Sequence, residues 1–491
     1  MTDDHLVAER LKKIEELRAK GIEPYPYSFR FTHKAKELHD KYHNLKAEEL
    51  TEDNASVAGR IVALRRMGKA TFMHIMDGSG KIQSYLKLDD MGDNYNLLKQ
   101  LDMGDFIGVE GKVFKTRTGE LTVHAKSVQL LSKSIRPLPE KFHGLTDKEL
   151  RYRQRYVDLI MNPEVKQAFI KRIEFVKNIR RYLEDRGFLE VETPILEAIP
   201  GGADAEPFKT HHNALNTDFF LRISLELAHK RLLVGGFDKI YEIGKVFRNE
   251  GMSREHLQEF TLLEFYWTYA DYEELMEFIQ VFYQTIIQAT FGRMTVAFEG
   301  KEIDFRGKWP HYDYTELVLE KTAINLDEHP TKESLIKAIE ERALKLEIDK
   351  TMGRGRIIDQ LYKSYVRPTL IQPCFLVDHP IDISPLVKKH RRKPGKVERF
   401  QVVIAGSEVG NGYSELNDPV DQKARFLEQE KLYQEGDKEA QRIDNDFINA
   451  LEIGMPPTAG FGAGIDRLFM IAAGLESIRD TVFFPLMKSH D

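Results

Sequence analysis

A single cysteine, Cys374, occurs in 491 residues. One cysteine excludes an intrachain disulfide and a thiolate zinc site, and its setting in the apolar stretch LIQPCFLV makes it a core-packing residue. No run of about 18 apolar residues is available to cross a bilayer, and the N-terminal MTDDHLVAERLKKIEEL lacks the apolar centre of a secretory signal. The expected compartment is therefore the cytosol, with no membrane partner. Excess positive charge is missing too. The formal net charge is -6, so any nucleic-acid contact must come from local patches rather than the global field. Candidate patches are RRMGK at 65–69, KNIRR at 177–181 and KKHRRKPGK at 388–396; each, taken singly, reads as a solvated face or loop. Neither GxxxxGK[ST] nor a GxGxxG after a strand occurs, which removes the two commonest nucleotide-binding motifs. Internal repeats and low-complexity segments are also absent.

What is present is a chain 42% hydrophobic and 31% charged, the balance of a soluble globular protein. Its length points to about three domains. Leu11, Ile14 and Leu17 recur at helical spacing before GIEPYPYSF breaks the run, so residues 1–54 are expected to form a helical segment. Between about 55 and 135, short β-rich pieces punctuated by Gly and Asp-Gly turns fit a five-stranded barrel of the oligonucleotide-binding (OB) kind. On such a barrel, exposed aromatics stack bases while basic residues follow phosphates. Phe72 and His74 alternate on one side of a strand there, with Arg60, Arg65 and Gln83 on neighbouring segments. A core Phe and a surface His are the plain alternative. IRPLPEKFHG suggests a linker over 136–150, and 151–491 mixes long amphipathic helices with strands, one large α+β domain.

The chemistry concentrates in VFRNEGMSREHLQEFTLLEFYW, Val246 to Trp267. A hairpin is expected, with strand KIYEIGKVFRNE, loop GMSREHLQ and strand EFTLLEFYWTYA. Side chains alternate along strands. Val246, Arg248 and Glu250 then share one face, matched by Phe260, Leu262, Glu264 and Tyr266, with His256 on the loop. A buried charge is costly unless paired or met by a ligand. This face is a poor core and a good pocket for a phosphate, a purine and a cation; an Arg248–Glu264 salt bridge is the structural alternative. Near the C-terminus, GFGAGIDRLFMIAAGL joins a glycine-rich strand end to a helix, with Arg467 beside the glycines.

Together GFLEVETPIL, VFRNEG…EFTLLEFY and GFGAGIDRLFM resemble motifs 1, 2 and 3 of the class II aminoacyl-tRNA synthetases. The preceding barrel narrows the resemblance to the subgroup charging aspartate, asparagine or lysine. GRIVALRRMGKATF, IPGGADAEPFKTHHNAL, LIQPCFLVDHPIDISPL and GNGYSELND are similar to the lysyl-tRNA synthetase family in particular. The resemblance implies an α+β fold: an OB barrel binding the anticodon, then a catalytic domain on a mainly antiparallel sheet flanked by helices. It also implies ATP, L-lysine and tRNA(Lys) as substrates, Mg2+ as cofactor, no zinc, and a homodimer formed through motif 1.

Carried over by position, Gly202 and Glu226 would hold the α-amino group of lysine, and Glu264, Tyr266 and Glu415 its side-chain ammonium. Asn411 would lie near the substrate carboxylate, and Arg248 would touch both that carboxylate and the α-phosphate. Adenine would sit between Phe260 and Arg467 with Glu250 at its amino edge, and His256 would face the terminal phosphates. Glu408 and Gln401 would meet the metal, and Arg60, Phe72 and Gln83 the anticodon. The acidic lining of Glu226, Glu264, Glu408 and Glu415 suits lysine and opposes an aspartate-type substrate. Three departures stand out. Gln401 replaces the usual second metal-binding glutamate, LEL replaces Pro-Glu-Leu at Leu225, and Asp204 and Glu206 replace small and basic residues. The other readings are an aspartyl- or asparaginyl-type synthetase, a paralogue attaching a lysine-type amino acid to a protein, and a non-catalytic RNA-binding relative.

Overall fold

The computed structural model describes residues 3–139, 145–349, 351–437 and 440–488. Residues 140–144, inside the expected 136–150 linker, lie outside the described residues. The chain divides into two units, Met1–Thr146 and Asp147–Asp491.

In the first unit, helices α1 (Asp3–Ala19) and α2 (Ala35–Lys41) precede five strands: β1 (Leu50–Met67), β2 (Ala70–Met76), β3 (Lys81–Lys87), β4 (Phe106–Lys115) and β5 (Leu121–Ser132). They close a barrel in the order β1-β2-β3-β5-β4. Alternation along β2 sends Thr71, Met73 and Ile75 inward and leaves Phe72 and His74 part-exposed. A bulge between Ile61 and Ala63 lets β1 bend around the barrel. Gly111 is obligatory at the β4–β5 crossing, because a Cβ there would stand 1.9 Å from the His124 carbonyl oxygen. The segment 1–54 folds onto this barrel rather than standing apart: Leu17 and Leu38 share its core, and Lys13 pairs with Asp102 at 2.8 Å. The first strand starts at Leu50, ahead of the expected boundary at 55.

The second unit is built on an eight-stranded sheet. Its elements in chain order are α3 (Pro163–Glu184), β6 (Leu189–Glu190), α4 (Glu226–Val234), β7 (Lys239–Phe247), β8 (Glu259–Thr268) and α5 (Tyr272–Phe291). They continue with β9 (His311–Asp313), β10 (Cys374–Val377), β11 (Arg399–Ile404), β12 (Ser407–Ser414), β13 (Thr458–Gly464) and α6 (Ile465–Ala473). The strand order is β9-β10-β11-β12-β13-β8-β7-β6. Only the edge pairs β9–β10 and β6–β7 are parallel. One face packs on α3, α5 and α6 through Phe175, Phe265, Phe282, Phe461 and Phe469. Asp271 caps α5 through the amides of Glu273 and Glu274. Cys374 is buried in a second apolar cluster with its thiol pushed up to about 12 by burial, an inert packing residue. Among the described residues no helix is long and apolar enough to cross a membrane.

Candidate active site

The period of two that sends Leu263 and Phe265 into the helical layer sends their neighbours to the other face of the sheet. There β7 and β8 pair Val246 with Phe260, Gly244 with Leu262, Glu242 with Glu264 and Ile240 with Tyr266. A cavity of about 570 Å³ opens over this face, lined by Glu226, Arg248, Glu264, Tyr266, Asn411 and Arg467 among others. The two opposed carboxylates meet different environments. Glu242 accepts from Arg222 Nη1 at 2.8 Å, the Thr193 hydroxyl at 2.7 Å and His229 Nε2 at 3.1 Å. Burial pushes its pKa up, but His229, Thr193 and Arg222 outweigh that and hold it below the ordinary value. Glu264 accepts only neutral donors: the Ser224 hydroxyl at 2.8 Å, the Leu225 amide at 3.2 Å and the Tyr266 hydroxyl at 3.0 Å. Burial above all raises its pKa. The expected alternative, an Arg248–Glu264 salt bridge, does not form. A carboxylate hydrogen-bonded yet lacking a cation is suited to an incoming ammonium.

Around Glu264 the acidic lining is complete. Glu226, on the first turn of α4, accepts from Lys230 Nζ at 2.6 Å and from the Tyr413 hydroxyl at 2.7 Å. Lys230 also reaches Glu415 Oε2 at 2.5 Å. Glu415 Oε1 is buried without a partner, and burial raises this carboxyl well above its usual range. Gly202 has φ +84°, and a Cβ there would stand 3.0 Å from the Ser224 hydroxyl and 3.1 Å from Glu226 Cβ, so this residue brings backbone against the base of the Glu226 side chain. Asn411 Oδ1 accepts from Arg399 Nε at 2.9 Å. What it presents to a ligand is its amide N–H2.

The cationic end lies beyond the hairpin. Strand β7 stops at Phe247, so Arg248 and Glu250 do not extend it as expected. Arg248 keeps one ladder bond, from its N–H to the Gln258 carbonyl at 2.8 Å, and Glu250 is exposed in the loop. The Arg248 guanidinium stands 5.2 Å from the Phe260 ring centroid. Its Nε is buried without a partner. Arg467, near the start of α6, donates to the backbone carbonyls of Glu408 at 2.8 Å and Glu255 at 3.2 Å, and its Nε is likewise unpartnered. His256 stands at the cavity mouth, and its imidazole is pushed down to about 4, by desolvation first and then by Arg467. Gln401 Nε2 donates to Glu408 Oε2 at 2.9 Å, leaving Gln401 Oε1 buried without a partner. Of the acidic departures, Asp204 accepts from Gln441 Nε2 at 3.2 Å, and Glu206 holds the Asn249 amide through its backbone carbonyl at 2.8 Å.

On the barrel, Phe72 lies 4.8 Å from Tyr85, which lies 5.2 Å from His124 and 6.2 Å from Phe114. This row of part-exposed rings is an outer surface rather than core. His74 and Gln83 converge on Glu120 at 2.6 and 2.7 Å. Arg65 faces Phe72 across the strands, but Arg60 is paired further along with Met76 and is held by the Gly104 carbonyl and the Phe106 ring. Sequence reading missed Tyr85, Phe114, His124 and Glu120; alternation along SYLKL and TVHAK was the available signal.

A mainly antiparallel sheet carrying opposed acidic and cationic pockets, together with a five-stranded barrel, defines a class. Residues 147–488 match the family of class II tRNA synthetases (D, K and N), and residues 55–131 match the OB-fold nucleic acid binding domain. The chain belongs to the class II tRNA synthetases. Among its relatives is a lysine–tRNA ligase of Pelotomaculum thermopropionicum, 49% identical over 489 residues, covering 99% of this chain and 96% of the relative. Another from Thermotoga maritima is 48% identical over 483 residues (98% and 95%), and one from Carboxydothermus hydrogenoformans is 48% identical over 489 residues (99% of each).

Proposed function

We propose that the chain is a lysine–tRNA ligase that activates L-lysine with ATP and transfers it to the 3′-terminal adenosine of tRNA(Lys). The observation that carries the reading is the buried acidic pocket, in which Glu264 is hydrogen-bonded but lacks a cation. In this reading the side-chain ammonium of lysine meets Glu264, Tyr266 and Glu415, the α-amino group meets Gly202 and Glu226, and Asn411 donates to the carboxylate. A pocket of carboxylates repels the acidic side chain of aspartate, and the neutral amide of asparagine brings it no ammonium, which disfavours both as substrate.

The lysine carboxylate then attacks the α-phosphate of ATP and pyrophosphate leaves. Such transfers depend on alignment and charge neutralisation more than on a side-chain nucleophile. Arg248, with its unpartnered Nε, is placed to neutralise both reacting groups. Phe260 and Arg467 would enclose adenine, with Glu250 near its edge. His256, neutral at physiological pH, would donate a hydrogen bond to the terminal phosphates. Gln401 Oε1 and Glu408 suit a hard divalent cation such as Mg2+. Among the described residues no group of three or more His, Cys, Asp or Glu stands ready to hold a metal. The ion would therefore need ATP phosphate oxygens as well, and would supply further charge neutralisation there. The barrel face around Phe72 and Gln83 would take the anticodon, with Arg60 at its margin. Leu189, Ile195 and Leu196 of motif 1 are exposed, which supports a homodimer, and the cytosol is the proposed compartment.

The test is ATP–pyrophosphate exchange without tRNA, with each of the twenty amino acids in turn. Exchange with lysine alone is expected, and Arg248→Ala should lower it by roughly 10²–10³-fold, the scale of losing a transition-state donor. Exchange with another amino acid, or with none, overturns the reading.

A further inference from the structure

Glu226, Glu264 and Glu415 are all buried at the lysine end of the cavity, and one cation of the protein's own stands among them. Lys230 has a side chain with no exposure, and its Nζ lies 2.6 Å from Glu226 Oε1 and 2.5 Å from Glu415 Oε2. It follows Glu226 by one turn of α4, so the helix itself sets that spacing. The rings of Tyr413 and Phe447, at 5.8 and 6.0 Å, close the remaining sides. Burial pulls the ammonium's pKa down, yet Glu226 and Glu415 outweigh it and hold the group charged.

The charge balance gives this ion pair a further meaning. With the three carboxylates ionised, as they must be to hold ammonium groups, the one ammonium of Lys230 leaves two negative charges for a ligand to match. Lysine brings two ammonium groups, and its own carboxylate is met by Arg248. Without Lys230 the pocket would hold three unmatched carboxylates against two cations, and an uncompensated buried charge is strongly unfavourable. Orientation adds to the balance. Lys230 engages Glu415 through Oε2, while Oε1 stays buried and unpartnered against Gly460. An unmet buried oxygen favours a ligand that brings a donor.

We propose that Lys230 is a specificity-determining residue of the lysine site, a built-in counter-ion that leaves the pocket matched to an amino acid with two ammonium groups and presents Glu415 Oε1 to the side-chain one. The proposal rests on the lysine–tRNA ligase reading and deepens it. Norleucine, which lacks the ε-ammonium, would leave one buried carboxylate unmatched and is rejected on that ground.

The experiment uses the full-length protein and its Lys230→Met variant, which keeps the apolar stem and removes the charge. Lysine and norleucine binding is measured by calorimetry, and KM for lysine and ATP by pyrophosphate exchange, between about pH 6 and 9. The titratable groups facing Lys230 are Glu226 and His229 on α4, Glu264 and Tyr266 on β8, Tyr413 on β12 and Glu415 just beyond its end. KM for lysine should rise on the order of 30-fold at neutral pH, with KM for ATP nearly unchanged. Discrimination against norleucine should fall in parallel. The defect should shrink as pH rises, because Glu415, whose carboxyl burial already raises, must without the ammonium first lose a proton to hold the substrate. An unchanged lysine KM with a flat pH profile would reduce Lys230 to a space-filler and overturn the proposal. So would equal losses in the lysine and ATP parameters, the mark of a scaffold role. A wild-type protein that binds no lysine overturns the proposed function instead, so the two failures are told apart. If Lys230→Met does not fold, Lys230→Gln, which retains a donor without the charge, carries the same test.

Discussion

A β-carbon on Gly460 would stand 1.9 Å from Glu415 Oε1 and 2.6 Å from the Tyr266 ring. Neither group can retreat freely, since Glu415 is tied to Lys230 and the Tyr266 hydroxyl to Glu264. Two residues along the same strand, a β-carbon on Gly462 would meet Glu264 Cγ at 3.5 Å, an ordinary contact. The pair makes an internal control. Gly460→Ala should raise KM for lysine by roughly 100-fold, because a misplaced charge partner forfeits most of a charged hydrogen bond. Gly462→Ala should leave it within about threefold of wild type, as an added methyl does where space exists. Both are measured by lysine titration in pyrophosphate exchange, alongside thermal melting. Equal effects of the two substitutions would mean that Glu415 does not contact the substrate.

Besides its apolar packing, helix α6 is held at its start by Asp466, which accepts Arg172 Nη2 from α3 at 2.6 Å and the Thr261 amide from β8 at 2.7 Å. Arg467 is next in the chain, so this staple sets where its guanidinium enters the cavity. Asp466→Ala leaves the Arg172 charge with only the Thr261 hydroxyl at 3.2 Å and should cost about 3 kcal/mol of stability, the scale of breaking a buried pair. It should raise KM for ATP more than KM for lysine, read by exchange kinetics with each substrate varied; the reverse order would detach Arg467 from the nucleotide. Elements of this kind separate what the sequence discloses from what it does not. The faces of β7 and β8 were legible because alternation is a local rule, and so were Glu264 and Tyr266. The point where β7 ends was not, because the Asn249 amide turns aside to the Glu206 carbonyl, a partner far away in sequence. The Glu242–Arg222 pair was hidden for the same reason. The spacing of Glu226 and Lys230 was readable as a helical pair, but its place under the pocket depends on how α4 packs. The sequence places Arg60 on a segment neighbouring that of Phe72, while in the fold Arg60 pairs with Met76 before the bulge after Ile61 and bonds the Gly104 carbonyl. On α1, Ile14 and Leu17 are buried but Leu11 is exposed, so the apolar stripe is narrower than its spacing suggested.

At the scale of the whole molecule, a net charge of -6 must coexist with binding of a polyanion. The richest basic run, 388–396, does not resolve this, since Arg391 bonds Asp271 and Glu398 and Lys393 bonds Asp378. Most of its charges are spent within the fold. Aromatic stacking is an alternative that needs little net charge, because every base has a ring face. The row formed by Phe72, Tyr85, Phe114 and His124 offers such a surface on the first unit, while Arg248, Glu264 and Arg467 all belong to the second. Recognition and activation should therefore separate under mutation. Phe72→Ala removes one stacking partner, worth about 1–3 kcal/mol per base, or roughly 5- to 150-fold in affinity. The expected outcome is a fall of that order in kcat/KM for tRNA(Lys) charging, with tRNA-independent pyrophosphate exchange unchanged. The loss should also be smaller for a tRNA whose anticodon is already altered, since a contact missing from the RNA cannot be lost twice. Equal losses for native and altered anticodons would place Phe72 outside the anticodon contact, and a fall in exchange itself would mean that the ring serves the fold of the chain rather than the reading of RNA.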